Sequence, residues 1–156
     1  GGCSWVSGLF GGSNPDKGVA VSVFDVAVGD CFQTITDQKD VRAELSSLTK
    51  VPCTVPHQQE AYAIIQYTTT GAAPGATTPA ADAAFPGQTV LDTFAKGACA
   101  TAYTDYVGVT YLDSQYYFTY LLPSARGWQQ GDDRSVVCFV ITTGRPLTAT
   151  VKGTKE

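Results

Sequence analysis

Five cysteines, at positions 3, 31, 53, 99 and 138, share a chain of 156 residues that holds a single histidine and no methionine. Zinc sites bring their ligands in close pairs such as C-x-x-C, because one turn must aim two thiolates at one ion. No close pair exists here, and His57 alone cannot complete a Cys2His2 set, so neither a zinc site nor a dithiol redox centre is expected. Well-separated cysteines read instead as structural disulfides, which places the chain in an oxidising compartment. With Cys3 set aside, Cys31, Cys53, Cys99 and Cys138 allow three pairings. Sequential pairing encloses the shortest loops, but the sequence leaves all three open.

Cys3 needs its own account. It precedes Ser4, Gly8, Gly11, Gly12, Ser13, Asn14 and Pro15, a run suited to neither strand nor helix. A cysteine directly after Gly1 and Gly2 and ahead of a flexible segment looks like the start of a mature bacterial lipoprotein, whose thiol carries a diacylglyceryl group. Two acyl chains hold a protein on a membrane where one barely does. The expected organisation is a tether over residues 1–18, one domain over 19–151 and a short tail over 152–156. A coil of the tether's length reaches only about 20 Å, which keeps the domain near the membrane.

Composition narrows the partners. With 44% hydrophobic and 15% charged residues the chain can bury a core. Ten Lys and Arg against 14 Asp and Glu give a net charge of −4, without the basic stripe that a phosphate backbone requires, so no nucleic acid partner is expected. The uncharged stretch from Ala61 to Ala81 is broken by Gly71, Pro74, Gly75 and Pro79, so no membrane span is expected.

Periodicity predicts an α+β domain, a mainly antiparallel sheet of about five strands with one main helix packed on it and two disulfides. Val19 to Val28 alternates as a strand up to Gly29-Asp30. Val41 to Val51 reads as a strand with an irregularity at Ser46-Ser47, closed by Pro52. Gln59 to Thr69 is a strand with Tyr62, Ile64, Gln66 and Thr68 on one face and Ala63, Ile65 and Tyr67 on the other. A Gly/Ala/Pro/Thr-rich loop covers 70–87. From Thr89 the period becomes helical through Leu91, Phe94, Ala95, Ala98, Ala102 and Tyr106, with Thr89-x-x-Asp92 resembling a capping box. Val109 to Leu112 reads as a short extended piece, Gln115 to Leu122 as an aromatic strand, and Ser124 to Asp133 as turns. Arg134 to Thr143, apolar on both faces, reads as a central strand, and Leu147 to Val151 as a short edge strand.

Three features bear on chemistry. His57 and Glu60, near Pro56 at the entrance to a strand, have the residue types of a general base or a ligand pair. Two ligands do not hold a metal, so the expected role is a structural corner, with no metal and no cofactor. No G-x-S-x-G elbow is present and any triad would depend on His57, so catalysis is not expected. The third feature is an aromatic surplus: Tyr116, Tyr117, Tyr120 and Trp128 could present flat amphipathic contacts to a glycan, a small ligand or a protein.

The order of these residues resembles the septum formation family of actinobacterial cell-envelope proteins. The likeness is carried by Val28-Gly-Asp-Cys31-Phe32, Val51-Pro-Cys53-x-x-Pro56-His57-x-x-Glu60, a helical Cys99 with Tyr106-Val-Gly108, and Leu122-Pro123, Trp128, Gly131-Asp132, Arg134 and Cys138. It spans about Val23 to Thr142 and leaves out the 70–87 loop. The resemblance implies a secreted or lipid-anchored domain on the extracellular face of the membrane, with four framework cysteines and no assigned enzymatic mechanism. The expected activity is noncatalytic binding of another envelope protein or cell-wall component in septum or wall assembly. A glycan- or small-ligand-binding module stands second, and an enzyme using His57 and Glu60 third.

Overall fold

The computed structural model describes residues 18–33, 47–67 and 84–156. Most of the tether, with Cys3, the stretch 41–46 and most of the 70–87 loop lie outside the described residues. Six strands form one antiparallel sheet: β1 (Val19–Ser22), β2 (Cys31–Gln33), β3 (Ser47–Val51), β4 (Gln59–Gln66), β5 (Tyr117–Leu121) and β6 (Ser135–Ile141). Their spatial order is β1-β3-β2-β4-β6-β5. The main helix, α1 (Gln88–Val107), packs against β4, β5 and β6, and a short helix, α2 (Ala125–Gly131), lies between β5 and β6 in sequence. The α+β expectation therefore holds, with six strands and two α-helices among the described residues.

The face of α1 that meets the sheet is an unbroken row at every fourth residue: Leu91, Ala95, Cys99, Tyr103 and Val107, each 0% exposed. Such i±4 rows are the ridges that helices pack into grooves. Tyr62, Val136, Cys138, Val140, Leu147 and Val151 complete the core around Ala95 to Val107, while Leu91 packs with Tyr67 and Trp128. The other face of the sheet has a smaller core of Val26, Phe32, Leu48, Ala61, Val137 and Phe139. The chain does not continue as a strand after Ser22. It turns through one 3-10 turn, Val23–Asp25, and lays Val23 and Val26 against that outer face as a strap. β6 is buried on both faces because it stands between these two cores, as its apolar run predicts.

A bulge in β4 decides which side chains face which core. The pairing of β4 with β6 shifts register between Ala61 and Ala63, leaving Tyr62 as the extra residue. Ala61 faces the outer core, while Tyr62, Ala63 and Ile65 all contact the helix-side core and Tyr67 packs with Leu91. Strict alternation assigned Tyr62 and Ile64 to one face, and the bulge separates them.

Several element ends also differ from expectation. Gly87, at φ 98°, precedes α1 without a side-chain cap, and Asp92 is turned away to Tyr120 and Lys96. The helix ends at Gly108, φ 98°, where a Cβ would stand 2.9 Å from Lys155 Cγ, so the left-handed turn and the close approach both require glycine. Residues 109–112 run as coil and turn, the 124–133 segment contains α2, and 147–151 forms a single bridge, His57 to Leu147, in place of a strand. Residues 152–156 have exposed side chains, yet Gly153 and Lys155 donate backbone N–H groups to Tyr106 and Val107 at the end of α1.

The disulfides pair sequentially. Cys31–Cys53 joins β2 to the turn after β3, and Cys99–Cys138 pins α1 to β6. Loops with separations of 22 and 39 residues each gain about 3 to 4 kcal/mol from chain entropy, an upper-end value. Cys31, Cys99 and Cys138 are 0% exposed, whereas Cys53 is half-buried. Of the four bridged residues Cys53 is the one open to solvent, so a thiol-based reductant is expected to attack that bridge first in the folded protein. Intact mass after mild reduction without denaturant is therefore expected to rise by two hydrogens, and after reduction in denaturant by four, two for each of the two bridges.

Candidate functional site

His57 and Glu60 lie at the start of β4, where the chain leaves the turn begun at Pro52 and enters the sheet. That turn is closed by Val55 N–H to Pro52 O at 2.9 Å. His57 is held by its backbone, which exchanges both hydrogen bonds with Leu147 at 2.9 and 2.7 Å. Its ring Nδ1–H donates to Val55 O at 2.7 Å, an assignment that leaves Nε2 as the acceptor. His57 is 0% exposed, and Nε2 has no hydrogen-bond partner among the described residues.

Glu60 is also 0% exposed, and its carboxylate collects donors from distant parts of the chain. Oε2 accepts Tyr106 O–H at 2.7 Å, Thr150 O–H at 2.9 Å and Val151 N–H at 3.3 Å; Oε1 accepts the same N–H at 3.2 Å. Oε1 also stands 3.4 Å from Cys31 Sγ. That sulfur is in a disulfide and has no hydrogen to donate, so the contact is not a hydrogen bond. Burial, and then the bond to Glu60, drive the Tyr106 phenol well above the usual tyrosine range.

The sulfurs of Cys31 and Cys53 and a Glu60 oxygen lie within 4.8 Å of one another, the one such trio among the described residues. A disulfide offers no thiolate, so the trio is not a metal-ligand set while the bridge is intact. His57, Glu60 and Pro56 are thus brought to one corner, whose polar atoms are spent largely on backbone and framework contacts.

The four aromatic candidates are not brought together on one exposed surface. Tyr117 is 57% exposed. Tyr116 packs against the helix-side core and donates its hydroxyl to Glu156 at 2.9 Å. Tyr120 packs there too and donates to Asp92. Trp128 is 2% exposed, with the Arg134 guanidinium 3.7 Å from its ring centroid and the rings of Tyr67 and Phe85 against it. Trp128 and Arg134 fasten α2 to the head of β6, reinforced by Arg134 Nη1 donating to Trp128 O at 2.8 Å.

A family model described as septum formation matches residues 28–155, most of the chain. The chain belongs to the septum formation family. No curated protein and no solved structure matches it. Inside the region matched by the septum formation model, the V-G-D-C-F residues serve geometry. Gly29 sits at φ 95° and gives its N–H to Ala61 O at 2.7 Å. Asp30 accepts Ala27 N–H at 3.0 Å and pairs with Lys50 at 3.1 Å, while Phe32 fills the outer core. No helix among the described residues is long and apolar enough to cross a membrane.

Three outcomes follow. Glu60→Ala leaves the Tyr106 hydroxyl, the Thr150 hydroxyl and the Val151 N–H without their acceptor, at a cost of about 3 kcal/mol in denaturant unfolding. His57→Ala costs about 2 kcal/mol by the same measurement; an unchanged transition together with loss of a ligand would assign His57 a functional role instead. Alkaline titration supplies the third. Burial raises the phenols of Tyr62, Tyr103 and Tyr106, and burial with a carboxylate partner pushes Tyr116 and Tyr120 up to about 12. Their folded pKa values exceed the unfolded value of about 10, so the stability they contribute is full below about pH 10 and falls as pH rises toward 12. Phenolate absorbance should therefore appear late and together with loss of secondary structure.

Proposed function

We propose that the domain is a noncatalytic recognition module of the cell envelope, held at the extracellular face of the membrane by a lipid on Cys3, where it binds another envelope component in septum or wall assembly. The observation that carries this reading is the burial of His57 and Glu60. A general acid or base must reach its substrate, and the Glu60 oxygens are instead engaged by Tyr106, Thr150 and Val151. Septum formation family membership and the two disulfides support an envelope setting.

Binding and anchoring are tested separately. Cys3→Ser is expected to move the full chain from the membrane pellet to the soluble fraction without changing its unfolding transition; retention in the pellet counts against the lipid. Calorimetric titration of the oxidised domain with purified cell-wall glycan fragments is expected to show no saturable heat, and the domain immobilised as bait is expected to retain a discrete envelope protein from detergent-solubilised membranes. Saturable glycan binding lost on Tyr117→Ala would replace the protein-partner reading with a glycan-binding one.

A further inference from the structure

Among the described residues, the strap covers only part of the outer face of the sheet. Where the strap stops, a cavity of about 300 Å³ opens between Val23, Phe24 and Val26 on one side and Ile64, Leu121 and Val137 on three neighbouring strands. This volume lies at the lower bound of small-molecule sites, enough for a short aliphatic chain. The bulge at Tyr62 creates the floor, because it turns Ile64 to the outer face beside Val137. Phe24 is 68% exposed and Ile64 38% exposed, an arrangement that leaves large apolar surface in water.

One end of the cavity is polar. Asp133 is the single ionisable group in the lining among the described residues, next to Ser135. Its Oδ1 accepts Ser135 N–H at 3.0 Å, which fixes the carboxylate, and no described residue donates a hydrogen bond to Oδ2. The adjacent cation, Arg134, has its guanidinium over the Trp128 ring and donates from Nη1 to the backbone carbonyls of Trp128 and Asp133 at 2.8 and 3.2 Å. An apolar channel ending in one fixed carboxylate complements a molecule with an aliphatic chain and a positive head, and disfavours a fatty acid or an anionic lipid, whose head would meet a like charge.

We propose that this groove binds a small cationic amphiphile, its aliphatic chain seated between Phe24, Ile64 and Leu121 and its ammonium or guanidinium group on the Asp133 carboxylate. The site uses none of His57, Glu60, Tyr117 or Cys3, so it stands or falls apart from the recognition reading above.

The test is a titration of the oxidised, methyl-labelled full chain with octylammonium, octanoate and octanol, followed by NMR. Octylammonium is expected to shift the methyl signals of Ile64, Leu121, Leu122 and Val137 saturably and to bind about tenfold more tightly than octanoate, as one nearby opposite charge in a partly exposed site allows. Asp133→Asn keeps the acceptor for Ser135 N–H and removes the charge. It should bring the two ligands within about twofold of each other. Ile64→Gln, a change at an exposed position, should abolish the methyl shifts. In the unaltered protein, raising the ionic strength should weaken octylammonium and leave octanol unchanged. Equal binding of octanoate and octylammonium, a preference that survives Asp133→Asn, or shifts centred away from the groove would each overturn the proposal.

Discussion

A charged side chain shut away from water is tolerated only when donors replace its hydration, and in this domain that requirement falls on Glu60. Its donors come from the end of α1, 46 residues on, and from the segment 90 and 91 residues on. The carboxylate therefore gathers β4, α1 and the segment 150–151 at one point, beside the Cys31–Cys53 bridge. None of these contacts is local: Tyr106 reaches Glu60 only if α1 is seated, and α1 is held on β6 by its apolar row and by the Cys99–Cys138 bridge. The polar knot gives the packing a unique register that an apolar residue at position 60 would not demand.

Around that knot the family motif residues act as joinery. Gly29 permits the turn into β2, Asp30 closes it and pairs with β3, the Pro52 turn delivers His57 to Leu147, and Arg134 clamps Trp128 beneath α2. Short motifs containing His, Glu, Asp and Arg invite a catalytic reading. The geometry spends those groups chiefly on framework side chains and on backbone, as buried polar groups require, and leaves exposed apolar side chains on the partly open outer face, Phe24 and Ile64 among them.

The long periodic elements were the legible ones. α1 announces itself by a helical repeat of apolar residues, and β6 by an apolar run bounded by turn signals, because each buries a continuous face. Elements whose form depends on tertiary partners were not legible. β2 has three residues, too few for a period. Val23–Val26 alternates like a strand and instead becomes a strap, because the sheet edge ends and its valines find the outer core. The bulge at Tyr62 leaves no mark in composition, yet it reverses the faces of everything after it in β4. At the corner, the crowding of Cys53, Pro56, His57 and Glu60 hinted at a shared framework, but the donors to Glu60 lie too far along the chain for any spacing to reveal. Tyrosine content showed that polar aromatic surface was present without showing that the hydroxyls of Tyr116 and Tyr120 already had carboxylate partners.

The position of the Cys99–Cys138 bridge carries a consequence for how such a chain is made. Both sulfurs are sealed between α1 and β6, and disulfide exchange requires a thiolate to approach a sulfur directly. Once the helix has settled on the sheet, no oxidising enzyme can install this bond, and none can correct it. The pairing must be chosen while the chain is still open, and the finished domain preserves that choice.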